Sequence, residues 1–427
     1  MKSVTITPGK LSGSVTLPPS KSLSHRAIIC AALTDGISEI NNAGSSNDIE
    51  VTIKAMEKLG ASIRREGSRL IVDGSGALKT SGPLDIDCGE SGSTLRFLIP
   101  LALLCNQDVT FTGSGRLPQR PLGPYYNIFD GRGIPYKTTQ GGLPLTVSGG
   151  DISGQIEIEG NISSQFISGL LLALPLYNYN SEIKITSPLE SKGYIDMTID
   201  VMRKFGVEVH NNNYHTFKVR GGQKYKSTQY TVEGDYSQAA FFLAAGALGS
   251  FVVCKGLNPG SLQGDREIIN ILKRMGAEVV SENDGMAAIP SKLHGCEIDA
   301  SQIPDLVPIL TVLGALADGE TVIKNALRLR IKESDRLSAI SQQLNSLGAT
   351  IIEKNDGLII EGVPSLSGGT TSSCNDHRIA MSIAIASTCC GEEVVINDSD
   401  CVSKSYPGFW SDFEALGGKI NEWNVGE

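Results

Sequence analysis

Along the chain, apolar residues at helical spacing give way to short stretches of apolar and polar alternation, and this succession recurs six times. Each copy ends an amphipathic run in an apolar residue and a glycine, then continues as a strand, a turn and often a second strand. The copies are EKLGASIRREGSRLIVDG, DGRGIPYKTTQGGLPLTVSG, RKFGVEVHNNNYHTFKVRG, KRMGAEVVSENDGMAAIPS, NSLGATIIEKNDGLIIEG and EALGGKINEWN. Their marker glycines, Gly60, Gly133, Gly206, Gly276, Gly348 and Gly417, are spaced by 69 to 73 residues. Glycine takes the left-handed conformation that ends a helix without a Cβ clash, so each marker predicts a helix stop. EKNDG and SENDG between apolar runs predict hairpin turns. Upstream of each marker helix lies a second, more apolar helical run, at residues 22–33, 93–105, 164–176, 237–248, 305–317 and 376–387. Most of these begin with Ser or Asp, residues that cap the unpaired N–H groups of a helix start.

The sixth copy stops after its first strand, KINEW, whereas SVTIT at residues 3–7 has a strand's alternation and no helix before it. The N-terminal strand is therefore expected to complete the last repeat. That arrangement joins both chain ends in one domain, residues 1–19 with 229–427, and leaves residues 20–228 as an inserted second domain of three repeats. The alternative is a single six-unit solenoid, whose units are usually shorter and more uniform.

Composition narrows the chemistry. The 427 residues suffice for two to three domains, and the net charge of −9 provides no global positive field for nucleic acid or an anionic membrane. An anionic ligand must instead meet a local basic cluster. The nine cysteines are odd in number and form no CxxC, which predicts reduced thiols and a cytoplasmic setting. MKSVTITPGK has no export-signal pattern. The most apolar stretch, residues 239–254, is interrupted by Gly246, Gly249 and Ser250 and falls short of the roughly 20 residues that span a bilayer. It predicts a core helix followed by a strand. Five scattered histidines, with no HExxH, no GxxxxGK[ST] and no dinucleotide fingerprint, lead us to expect neither a metal nor a cofactor.

Seven segments carry candidate chemistry. In LPPSKSLSHR, Pro18 and Pro19 hold the chain extended and Ser20 or Ser22 caps a helix bearing Lys21, His25 and Arg26, a layout suited to anions. In DCGESGSTLR, Gly89 and Gly92 permit close backbone approach ahead of Arg96. TGSGRLPQRPLGP sets Arg116 and Arg120 among prolines, aiming a guanidinium fork suited to carboxylate or phosphate. NISSQF places Ser163, Ser164 and Gln165 at a helix start, and SKGYID adds Ser191, Lys192 and Tyr194; together they suit a hydroxylated or phosphorylated molecule. RIKESDRL is expected to put Lys332 and Arg336 on one helix face, with Glu333 three residues before Arg336. NDHRIAM places Asp376, His377 and Arg378 at the start of an apolar helix, and SKSYPGF carries Lys404.

In this order and spacing, over nearly the whole chain, these segments resemble the 5-enolpyruvylshikimate-3-phosphate synthase family of enolpyruvyl transferases. The resemblance implies an α/β (α+β) fold: a two-domain inside-out α/β barrel of six βαβαββ repeats, three per domain, closing over its substrates. It implies small-molecule substrates, phosphoenolpyruvate and shikimate 3-phosphate, no nucleic-acid or membrane partner, and transfer of the enolpyruvyl group to the 5-hydroxyl with release of phosphate. By matching motif, shikimate 3-phosphate falls to Lys21, Ser22, Arg26, Ser163, Ser164, Gln165, Ser191, Tyr194, Asp305 and Lys332. Phosphoenolpyruvate falls to Lys21, Gly92, Arg120, Gln165, Arg336, Arg378 and Lys404. Each substrate brings about three negative charges near neutral pH, which these cations would balance. For the chemistry, Asp305 or Lys21 works on the hydroxyl and Glu333 on the methylene, with His377 assisting. Burial at Asp305 would raise its pKa and Lys332 would oppose the rise.

Two positions depart from the family pattern: Glu90, where Asn is frequent, and Arg328, where Asn or Gln is frequent. The nearest rival, the UDP-N-acetylglucosamine enolpyruvyl transferases, uses a loop cysteine that residues 113–124 lack, and a Lys-Asn pair where Lys21-Ser22 stands here. A non-catalytic anion-binding repeat protein is the other alternative, and Asp305, Glu333 and His377 among the basic segments count against it. A monomer is expected.

Overall fold

The sequence repeat becomes six four-stranded sheets in the computed structural model, which describes residues 2–282 and 284–424. Asn283, in the SENDG turn, lies outside the described residues. Each sheet has the same order. Its first two strands are parallel, as they must be when a helix crosses between them, and the hairpin that follows adds two antiparallel strands. In one repeat Glu297–Asp299 pairs parallel with Glu320–Lys324, which pairs antiparallel with Gly357–Glu361, which pairs with Thr350–Lys354 at the edge. The six marker glycines have φ of 103°, 65°, 79°, 96°, 90° and 93° in chain order, the left-handed turn that ends each helix.

Three sheets borrow a strand from a distant part of the chain. Ser12–Thr16 pairs parallel with Phe251–Lys255 across the inserted unit's sequence. Lys2–Thr7 lies between Val394–Asn397 and Lys419–Asn424 as the fourth strand of the last repeat, with Val4 opposite both Ile396 and Glu422. Gln229–Thr231 pairs parallel with Ile37–Asn41 and supplies the opening strand of the repeat that begins near residue 20. The chain divides into two compact units, Pro19–Glu233 and the remainder, up to Pro18 and from Gly234 onward. The inserted unit thus runs five residues past 228, because the Gln229–Thr231 strand belongs to its sheet.

Each unit has its own hydrophobic core. The inserted unit builds its core on helices Lys21–Ala32, Gly92–Ala102 and Ser164–Ala173; the other unit uses Tyr236–Ala247, Val307–Ala315 and His377–Ser387. These are the six apolar runs of the sequence. They are buried on nearly every face, as helices that are apolar all round must be. Sheets with alternating burial lie outside them, so each unit has helices within and sheets without. The sheets are separate, and none closes into a barrel among the described residues. Small residues set the close approaches: a Cβ at Gly169 would collide with the backbone carbonyl of Arg96, so the Gly92 and Ser164 helices meet backbone to backbone. Among the described residues no helix is long and apolar enough to cross a membrane.

Candidate active site

In the inserted unit, Ser20 is the cap of the Lys21 helix: its hydroxyl accepts from the Leu23 N–H at 3.5 Å, which leaves Ser22 half-buried in the first turn. Lys21 Nζ lies 2.7 Å from the carboxylate of Asp48, a residue the sequence reading did not single out. Arg26 is 2 % exposed. Its Nε donates to Thr198 Oγ1 at 2.7 Å, its Nη1 to the Ser22 carbonyl at 2.7 Å, and its Nη2 to the Tyr194 carbonyl at 3.0 Å. The guanidinium also sits 4.9 Å over the Phe97 ring. Burial pushes its pKa down to about 10, so it stays charged at neutral pH. Among the described residues no carboxylate pairs with it, and a buried cation facing only neutral oxygens is prepared for an anion.

Gly92 opens the next core helix. A Cβ there would stand 2.7 Å from Arg120 Nη1 and 3.1 Å from Arg96 Nη1, so two guanidinium groups lie over bare backbone at a helix N-terminus. Arg96 Nη1 donates to Gln165 Oε1 at 2.7 Å, and Gln165 Nε2 donates to Ser93 Oγ at 2.9 Å, which fixes the Gln165 amide. Ser163 caps the helix of Ser164 and Gln165 by accepting from the Gln165 N–H. Ser191 holds a left-handed φ of 56° at the start of helix Lys192–Lys204, strained for a residue with a Cβ. Tyr194, in the first turn of that helix, returns its carbonyl to Arg26. The unit thus gathers Arg26 with Ser22 and Tyr194, and Gly92 with Arg120, Arg96 and Gln165. The Glu90 carboxylate fills the space that Gly115 leaves open, where any Cβ would collide with it.

In the same unit a chain of buried side chains runs behind Gly92. His25 Nδ1 lies 2.7 Å from Thr52 Oγ1, Thr52 Oγ1 lies 2.6 Å from Thr94 Oγ1, and Thr94 Oγ1 donates to Ser91 Oγ at 2.7 Å. Ser91 also caps the Gly92 helix by accepting from the Thr94 N–H. Burial, with Lys21 and Arg26 adding to it, lowers the His25 pKa well below its ordinary value.

The other unit centres on Asp305, in the one-turn helix Pro304–Leu306. Arg336 Nη1 donates to Asp305 at 2.7 Å, its Nη2 to Glu333 at 2.9 Å and its Nε to Asp376 at 2.8 Å. Arg378 donates from Nη2 to the Asp305 carboxylate at 3.2 Å and from Nη1 to its carbonyl at 3.0 Å. Lys332 Nζ stands 3.8 Å from Asp305 Oδ1. Asp376 is fully buried; it caps helix His377–Ser387 by accepting from the Arg378 N–H and also accepts from Ser334 Oγ. His377 Nδ1 is 4.0 Å from Asp376, and Lys404 Nζ donates to the Asn375 carbonyl at 2.8 Å.

These contacts set the charges. At Asp305 burial works to raise the pKa, but Arg378, Lys332 and Arg336 together outweigh it and hold the carboxyl well below the usual carboxylate range. Both effects expected at Asp305, the rise from burial and the opposition of Lys332, are present, and the cations prevail. Burial brings Lys332 down to about 8 against the pull of Asp305. Arg336 is held more firmly charged than an ordinary arginine: burial opposes this, and Asp376, Glu333 and Asp305 override it.

One expectation about this segment changes here. Lys332 and Arg336 do not share a helix face, because Asp335 caps the helix at Arg336 and leaves Lys332 extended at φ −86°, ψ −160°. Arg336 has its three nitrogens on three carboxylates. Arg328 is engaged structurally, its Nη2 donating to the Ser301 carbonyl. Sequence reasoning also missed Asp265, 3 % exposed, whose Oδ2 accepts from the Ser237 hydroxyl and whose Oδ1 has no hydrogen-bond partner among the described residues. Burial, reinforced by Asp305, raises its pKa to about 6, although Arg378 pulls the other way. The local signal was only an acidic residue in QGDRE, ahead of the apolar IINIL run.

The family model described as EPSP synthase (3-phosphoshikimate 1-carboxyvinyltransferase) matches residues 6–413. The 3-phosphoshikimate 1-carboxyvinyltransferase of Clostridium perfringens (strain ATCC 13124) is 55 % identical over 419 residues, covering 98 % of this chain and 99 % of the relative. That of Clostridium kluyveri is 51 % identical over 427 residues, covering 100 % of both. A solved EPSP synthase structure from Acinetobacter baumannii superposes with a TM-score of 0.83 at 28 % identity, covering 99 % of this chain and 100 % of that one.

Proposed function

The chain belongs to the EPSP synthase family, the 3-phosphoshikimate 1-carboxyvinyltransferases, and from that premise we propose how its own residues carry the reaction. It transfers the enolpyruvyl group of phosphoenolpyruvate to the 5-hydroxyl of shikimate 3-phosphate and releases phosphate, in the route to aromatic amino acids. The UDP-N-acetylglucosamine and non-catalytic readings are not favoured.

The 5-oxygen bonds to the central carbon of phosphoenolpyruvate while the methylene carbon takes a proton, giving a tetrahedral intermediate. Loss of a proton from the new methyl group then restores the double bond and expels phosphate. In the inserted unit Ser22, Arg26, Ser163, Ser164, Gln165, Ser191 and Tyr194 bind shikimate 3-phosphate; Gly92 and Arg120 bind phosphoenolpyruvate; Lys21 and Gln165 serve both. In the other unit Asp305 and Lys332 act on shikimate 3-phosphate, and Arg336, Arg378 and Lys404 on phosphoenolpyruvate. Asp305, held ionised, accepts a hydrogen bond from the 5-hydroxyl and orients it, with Lys21 as the second candidate for its proton. Glu333 moves the proton at the methylene, with His377 assisting.

The observation that carries this division is the engagement of Arg336 by Asp305, Glu333 and Asp376. An anion-binding surface gains nothing from carboxylates on its cations. In an enzyme an arriving substrate anion takes over an arginine and releases a carboxylate to accept a proton. Phosphate release by the purified protein tests the activity. It is expected with phosphoenolpyruvate plus shikimate 3-phosphate and absent when UDP-N-acetylglucosamine replaces the latter; release with neither acceptor would refute it. The reading also makes the protein a monomer and cytoplasmic, the latter supported by nine unpaired cysteines. Light scattering after size exclusion should give about the chain mass of 45.3 kDa.

A further inference from the structure

The buried chain from His25 to Ser91 has a direction. Thr94 has one hydroxyl proton and gives it to Ser91 Oγ at 2.7 Å. Thr52 Oγ1 also faces the Asp48 carbonyl at 3.2 Å. Two hydroxyl oxygens 2.6 Å apart nevertheless need a proton between them, so Thr52 must be the donor to Thr94 and its own proton is committed. His25 Nδ1, 2.7 Å from Thr52, is left as the donor of the first link. This makes His25 the neutral Nδ1–H tautomer, in keeping with its burial. Its Nε2 is buried without a partner among the described residues, and a lone pair is a cheaper orphan there than an N–H. Every link therefore points from His25 toward Ser91. Ser91 accepts twice, from Thr94 Oγ1 and the Thr94 N–H, and nothing among the described residues accepts its own hydroxyl proton.

We propose that Ser91 is a further binding residue for phosphoenolpyruvate, donating its hydroxyl proton to the anion held over Gly92, and that His25 is the positioning residue that orients this donor through Thr52 and Thr94. The inference rests on the assignment of Gly92 and Arg120 to phosphoenolpyruvate. Two features of this chain support it. Ser91 immediately precedes Gly92, whose bare backbone lies under the Arg120 and Arg96 guanidinium groups. The chain also draws its members from three helices, Lys21–Ala32, Asn47–Lys58 and Gly92–Ala102, and its last link ends on the cap of the third. If His25 were an acceptor, the protons of Thr52, Thr94 and Ser91 would all turn inward and the anion would lose its donor.

Steady-state kinetics with each substrate varied in turn separates the outcomes. Ser91→Ala, Thr52→Val and His25→Leu are each expected to raise KM for phosphoenolpyruvate about tenfold, the worth of one hydrogen bond to a charged acceptor, with KM for shikimate 3-phosphate and kcat within about threefold. His25→Asn puts an amide N–H where Nδ1–H stood and should restore KM to within about twofold. The double variant His25→Leu/Ser91→Ala should be no worse than Ser91→Ala, because both changes break one chain. A Gly92→Ala control tests the underlying assignment: unchanged KM for phosphoenolpyruvate there overturns the Gly92 reading itself. A raised KM in Gly92→Ala with unchanged KM in Ser91→Ala and His25→Leu overturns the relay alone. So does an additive double variant, or equal losses for His25→Asn and His25→Leu, which would mark the chain as packing only.

Discussion

At the scale of single residues, what surrounds a side chain decides its role as much as its type. Lys332 keeps its charge only up to about pH 8, because burial disfavours the ammonium form. An anion-binding lysine that deprotonates there should let kcat/KM for shikimate 3-phosphate fall as pH rises through 8, and Lys332→Arg should move the fall to higher pH. A kcat/KM profile from pH 6 to 10 checks it. Asp265 behaves in the opposite sense. Its folded pKa of about 6 lies above the ordinary 3.8, so between these values the folded chain holds a proton the unfolded chain has lost. Stability from this group therefore drops as pH rises through that window, and above 6 the ionised carboxylate is a full penalty. Asp265→Asn should melt about 2–4 °C higher than the parent at pH 7.5, with the gap narrowing toward pH 5. The cations of the site were legible as residue types in SHR, IKESDR and NDHR. Their partners were not, since Asp376 lies 40 residues from Arg336 and only the folded chain brings them together.

Among the helices and strands, the apolar runs and their stops could be read from the sequence because each rests on local physics: burial on all faces, a cap, a glycine. The predicted starts differ by a residue or two where the cap lies outside the helix, as with Ser20, Ser91 and Asp235. The three-residue strand Gln229–Thr231 escaped, because a partner 190 residues away defines it. The marker glycines share a φ but not surroundings, which predicts an order of costs. Gly417→Ala meets open space and should lose about 1 kcal/mol from the left-handed backbone alone. Gly60→Ala adds a collision with the Gly76 carbonyl and should lose at least about 2 kcal/mol more. Urea denaturation midpoints rank the two.

For the whole molecule, a repeat spacing of 69 to 73 residues carries the architecture, and three borrowed strands fix which segments belong to which unit. The N-terminal strand buries Val4 and Ile6 in the core of its sheet. Deleting residues 2–7 should speed hydrogen exchange in Val394–Asn397 and Lys419–Asn424 while leaving the sheets of the inserted unit unchanged. Equal acceleration in both units would show that the strand does more than close one sheet. The central claim, that this chain moves a proton at the methylene carbon of phosphoenolpyruvate through Glu333 while its arginines hold the anion, is tested most directly by running the reaction in D2O. Deuterium at the vinyl methylene of the product is measured together with kcat. The account predicts incorporation by the parent enzyme in the presence of shikimate 3-phosphate. In Glu333→Gln it predicts loss of both signals by about 100- to 10,000-fold, with both KM values within a few-fold. Turnover and incorporation within twofold of the parent in Glu333→Gln would contradict it.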